Sequence, residues 1–129
     1  MASGPGVQRA KDALDMWLGG GGVVRLWLVA PAFDGTGGTE SVPSGGAPTA
    51  TFSPAVAGTG GQIAKADASA SPVFPGVPDA STAIVALSVH DPSDDSIISL
   101  DTSWTAPGTG WTAGQSPTFP VSVVFVPVP

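Results

Sequence analysis

Four consecutive glycines, Gly19, Gly20, Gly21 and Gly22, divide two segments of opposite character, and four glycines in a row support neither a helix nor a strand interior. Before them, residues 7–18 read VQRAKDALDMWL. Val7, Ala10, Ala13, Leu14, Trp17 and Leu18 recur at three- and four-residue spacing, with Gln8, Arg9, Lys11, Asp12 and Asp15 on the opposite face, which predicts an amphipathic helix. Pro5 and Gly6 precede it and Gly19 follows it, as start and stop signals require. A helix of three turns is not stable alone. Its Trp17/Leu18 stripe must therefore pack on this domain or on a neighbour. After the glycines, residues 23–30 alternate as a strand, with Val24, Leu26, Leu28 and Ala30 on one face and Val23, Arg25, Trp27 and Val29 on the other.

The order helix, glycines, strand excludes two nucleotide motifs. A phosphate loop needs a strand first and Lys-Ser or Lys-Thr after the glycines, where Val23 and Val24 stand here. A dinucleotide fingerprint needs the same strand-first order. The glycines read instead as a joint, with Gly19 as the left-handed C-cap and the others letting the helix swing against a sheet. The predicted division is residues 1–22 (arm, helix and joint) and 23–129 (β-domain). A membrane span over residues 12–31 is not expected: it would bury Asp15 and Arg25 at a cost of several kcal/mol. Residues 1–6 lack the basic start of a signal peptide.

The rest of the chain is punctuated by turn residues. Its 18 glycines and 14 prolines make about a quarter of the sequence, yet 42% of residues are hydrophobic, which a disordered chain rarely carries. Residues 32–46 form a long turn-rich loop, and weaker strands follow at 49–52 and 62–68. The latter alternates Ile63, Lys65 and Asp67 with small residues and reads as half-exposed and near an edge. Proline-rich residues 71–78 suit an edge or a crossover. Residues 82–90, TAIVALSVH, are the best buried strand, followed by the acidic turn 91–95, a strand at 97–101, the loop 104–115 and a last strand at 116–126. Short strands between turn signals predict an all-β fold, a β-sandwich or jelly-roll-like domain with one short N-terminal helix.

Charge and composition narrow the function. A net charge of −6 with only Arg9, Lys11, Arg25 and Lys65 as cations leaves little to neutralise phosphates, so no nucleic-acid partner is expected. The absence of cysteine removes disulfides and thiolate metal sites and is compatible with a reducing cytosol. His90 is the single histidine; with Ser88 and Asp91 nearby it reads as a strand-end rim residue rather than a catalytic base. Asp91, Asp94, Asp95, Asp34 and Glu40 lie in acidic turns without the spacing of a dedicated calcium loop, and read as solvated turn formers. Trp104 and Trp111, in a glycine-rich loop, either form an aromatic surface patch for a glycan or partner, or cap the end of the core. Nothing points to the paired carboxylates of a glycoside hydrolase.

The order of the segments resembles a family of small structural proteins of tailed-phage virions, usually labelled tail fibre proteins. The matching pieces are residues 13–19 (ALDMWLG, for LLDxLLG), 26–40 (LWLVAPAFDGTGGTE, for LALHTADPGxxGxxE), 42–55 (VPSGGAPTATFSPA, for VSGGxYARxxVTFSAA), Phe74-Pro75 and 84–96 (IVALSVHDPSDDS, for VALFDAxxGG). Ala47-Pro48-Thr49 replaces the usual Tyr-Ala-Arg, and the Gly-Gly after the second turn is missing. The resemblance implies a non-enzymatic β-sandwich virion component without cofactors or catalytic residues. It would be assembled in the host bacterial cytoplasm and partnered by the major capsid protein or by tail proteins: a small acidic β-domain with a mobile arm fits a head decoration protein that bridges capsid subunits, while the family's usual label points to a minor tail or fibre component. It would act as a homo-oligomer, with trimers common among capsid decorators. In that setting Val7, Leu14, Trp17, Leu18 and Gly19–Gly22 are the candidate docking helix and joint.

Overall fold

The computed structural model describes residues 4–60, 62–121 and 124–128. One helix, α1 (Gly4–Trp17), precedes eight strands: β1 (Gly22–Val29), β2 (Thr39–Ser41), β3 (Thr49–Ala50), β4 (Val56–Ala57), β5 (Ala64–Asp67), β6 (Ala86–His90), β7 (Ile97–Asp101) and β8 (Phe125–Val128). They form two antiparallel sheets. The larger has the order β2-β1-β6-β7, with β3 also on β1, and the smaller has the order β4-β5-β8. The chain is thus the all-β, sandwich-like domain with one N-terminal helix that its punctuation predicts.

Alternation explains where the core sits. On β1, Val24 and Leu26 point inward and pair with Val89 and Leu87 of β6. All five residues of β6 are buried, as expected of the central strand. β5 departs from expectation. It is the middle strand of its sheet rather than near an edge, with Ala64 and Ala66 buried and Lys65 and Asp67 half-exposed. The alanines are the reason: their small side chains make a shallow floor, and α1 lies over it. Ala10, Leu14 and Leu18 of the helix region share one apolar core with Ala64, Ala66, Val24 and Val89.

The helix therefore packs on its own domain, and the joint is part of that packing. The left-handed residue is Gly21 (φ 83°) and not Gly19. A Cβ on Gly21 would stand 2.7 Å from the Ala50 carbonyl oxygen, and one on Gly22 would stand 2.5 Å from Val89 Cγ1. Gly22 already belongs to β1. A helix seated by Leu14, at 0% exposure, with two of its four glycines pressed against strands, does not swing.

The expected last strand, 116–126, crosses residues 122–123, which lie outside the described residues. Around Pro117 and Pro120 the described chain forms no named strand but a short antiparallel bridge, Val73–Thr118, with the Phe119 amide donating to the Pro72 carbonyl, and β8 starts at Phe125. The proline-rich segment 71–78 runs as a crossing piece whose Phe74 and Val77 amides donate to the Pro117 and Gln115 carbonyls.

Candidate functional site

The most organised polar cluster lies on the face of the larger sheet that carries Arg25 and Trp27. Three local rules assemble it. Ser88 and His90 are two apart on β6 and so share a face. Register places Arg25 opposite Ser88 and Val23 opposite His90, with Trp27 on the same face of β1. Glu40 on β2 pairs with Trp27 and joins them. The acidic turn after β6 then folds back over His90: the Asp95 amide donates to the Asp91 carbonyl at 2.8 Å, with Asp95 itself left-handed at φ 60°.

The hydrogen bonds form one directed chain. Trp27 Nε1–H can only donate, and it meets Ser88 Oγ at 2.7 Å. His90 Nδ1 lies 2.9 Å from the Asp95 carbonyl oxygen, which can only accept, so Nδ1 carries the proton. Nε2 is left as an acceptor for the Ser88 hydroxyl at 2.6 Å. The indole of Trp27 stacks over the imidazole, centroids 6.2 Å apart. Arg25 ties the flank, with Nη1 3.0 Å from Glu40 Oε2 and Nη2 3.1 Å from Asp95 Oδ1. Burial opposes the Arg25 charge, but hydrogen bonds and charge from Glu40, then from Asp95, outweigh it and raise its pKa above the ordinary value. These contacts hold Asp95 in a backbone region that non-glycine residues rarely adopt.

Ser88, His90 and Asp95 thus stand in the order of a nucleophile, a base and an orienting acid; Asp95 Oδ1 is 3.3 Å from Nδ1. Access decides what the arrangement does. Ser88 is 0% exposed and His90 3%, and the Trp27 indole donates to the Ser88 oxygen that would have to attack. No substrate carbonyl reaches that oxygen in this conformation. The cluster pins the acidic turn to the sheet. His90 is accordingly a buried strut rather than a rim residue, and its partners are Ser88 and Asp95, not Asp91. The Ser-x-His spacing on a buried strand was the available signal; the role of Asp95 depends on a turn whose path the sequence does not reveal.

The other expected sites divide cleanly. Leu14 and Leu18 are core and Val7 is half-buried, while Trp17 (45% exposed) and Met16 (74%) face outward. Trp17 borders a groove of about 220 Å³ with Asp91, Ile97 and Ile98. Trp104 and Trp111 are each 7% exposed and do not form a surface patch. Their rings pack on Phe119, with centroids 5.4 and 5.6 Å away, and Trp111 Nε1 donates to the Asp79 carbonyl at 3.0 Å. A glycan platform needs an exposed ring face, and burial removes it. The acidic turns satisfy themselves: Asp34, Asp91, Asp94 and Asp101 each accept from the amide and hydroxyl of a residue two positions on. Those bonds hold the exposed Asp34 and Asp94 carboxyls below their ordinary range. Among the described residues, no three acidic or histidine side chains come together as a metal site. No described helix is long and apolar enough to cross a membrane. Compared with known protein families, curated proteins and solved structures, the chain has no match.

Proposed function

We propose that the chain is a non-enzymatic structural component of a tailed-phage particle, a head decoration protein that binds the major capsid protein. The observation that carries the virion reading is the order of the resembling segments, which run through most of the chain: ALDMWLG at the end of α1, LWLVAPAFDGTGGTE through β1 to β2, and IVALSVHDPSDDS through β6 into the acidic turn; the choice of head over tail rests on the small acidic β-domain. The closed Ser88–His90 pair supports it, since this constellation of catalytic spacing among the described residues is buried and ties the acidic turn to the sheet. A small acidic domain with Met16 and Trp17 outward on its helix offers an apolar contact for a neighbouring particle protein.

Electron microscopy of phage particles labelled with an antibody to this chain tests the placement. Label spread over the head supports decoration. Label confined to the tail moves the chain to the runner-up position, a minor tail or fibre component, and no label on any particle overturns the structural reading.

A further inference from the structure

Among the sheet edges of the described residues, one is the least blunted. β2 and β3 are short and flanked by Pro43 and Pro48, β4 is two residues long behind Pro54, and β8 carries Pro127. β7, at the end of the larger sheet, is five residues long and reads Ile-Ile-Ser-Leu-Asp, with no proline, lysine or arginine. An irregularity interrupts its pairing opposite Val89 and His90; Ile97, Ile98, Ser99 and Leu100 are half-buried and Asp101 is exposed, and no described backbone hydrogen bond joins residues 97–101 to any element but β6. An edge of this kind is a template for another strand.

Two further observations show what would sit there. Beside β7 a groove of about 250 Å³ opens between the sheets, lined by Leu87, Leu100, Trp104 and Phe125. Trp104 is more than nine-tenths buried, yet its indole N–H has no hydrogen-bond partner. The second observation is charge. Asp91, Asp94 and Asp101 flank β7, and no described cation pairs with them, because Arg25 is held by Glu40 and Asp95 and Lys65 by Asp67. A second copy, also at −6, would bring like charges together.

We infer that β7 accepts an extended, basic segment of a partner protein as an added strand. The main chain of the segment would pair along Ile98–Leu100, and an apolar side chain would enter the groove against Leu87, Leu100 and the Trp104 ring. Lysine or arginine at its ends would meet Asp94 and Asp101. This mode takes affinity from main-chain bonds and specificity from alternate side chains. It is independent of the particle reading, and either can fail without the other.

The test uses the full chain, isotope-labelled, with three synthetic peptides: Lys-Val-Thr-Val-Thr-Val-Lys, its glutamate-ended counterpart, and a version with proline at the central valine. The basic peptide should shift the amides of residues 97–101 and the Trp104 indole N–H. The acidic and proline peptides should bind at least about tenfold more weakly at low salt. Leu100→Lys should weaken the basic peptide by at least about tenfold. Where that variant loses its fold, Ser99→Lys, on the same edge, decides. No binding by about 1 mM peptide, shifts confined to other residues, or equal binding of both charge types would overturn the inference. So would sedimentation showing a dimer that Leu100→Lys dissolves, which would assign the edge to a second copy.

Discussion

Replacing Ser88 with alanine isolates the polar chain better than any other change, because the two side chains are nearly the same size and no large cavity opens. Ser88→Ala strands two buried groups: the Trp27 indole N–H loses its acceptor and His90 Nε2 loses its donor. Both residues are under a tenth exposed, so water cannot readily take over. At about 1–3 kcal/mol for each buried polar group left unmet, the loss is about 2–6 kcal/mol, a large share of the stability of a domain this size. Urea unfolding followed by circular dichroism measures it. Trp27→Phe in the Ser88→Ala background should cost less than in the parent, since the indole donor is already stranded. A change below about 0.5 kcal/mol for Ser88→Ala would refute the reasoning. A stabilising effect would revive the serine as a reactive group, because functional groups are often held at the expense of stability.

Three further outcomes follow from the packing and the turns. Leu14→Ala should destabilise by about 2–5 kcal/mol and Trp17→Ala by less than about 1 kcal/mol in the same urea titration, because only Leu14 is fully inside. Gly21→Ala should cost about 1–2 kcal/mol from its left-handed backbone alone, with more from the Ala50 carbonyl. Gly20→Ala, with nothing within 4 Å of the new Cβ, should be near neutral by thermal unfolding. The Asp94 carboxyl, held down by the Ser96 hydroxyl and amide, should titrate below its ordinary 3.8 in an NMR pH series. Because its folded pKa is depressed, its support is complete above 3.8 and is lost as pH falls through the depressed value. Ser96→Ala should move the midpoint up toward 3.8.

Legibility in the sequence followed the range of the interactions. Period-two alternation located β1 to within a residue, the apolar run 82–90 located β6 although its first residues form a 3-10 turn at Ser81–Ala83, and the apolar spacing of α1 marked Leu14 and Leu18 as buried. Such signals are local. The middle position of β5 was not legible, because a half-exposed strand of alanines gives the same alternation at an edge as under a helix. The tryptophans show a similar limit: a glycine-rich loop carrying Trp104 and Trp111 could expose or bury them, and packing on Phe119 together with the Asp79 carbonyl, 32 positions from Trp111, settles it. The polar chain joins residues up to 70 positions apart, Arg25 to Asp95, through strand pairing that only the folded sheet supplies.

Head decoration, as proposed, places many copies of this chain on each particle. Quantitative mass spectrometry of purified phage particles, giving the molar ratio of this chain to the major capsid protein, tests it most directly. The account predicts a stoichiometric ratio, near one chain per capsid subunit or near one-third if trimers are counted at three-fold positions. A handful of copies per particle would contradict head decoration in favour of the tail, and absence from the particle would contradict the structural role altogether.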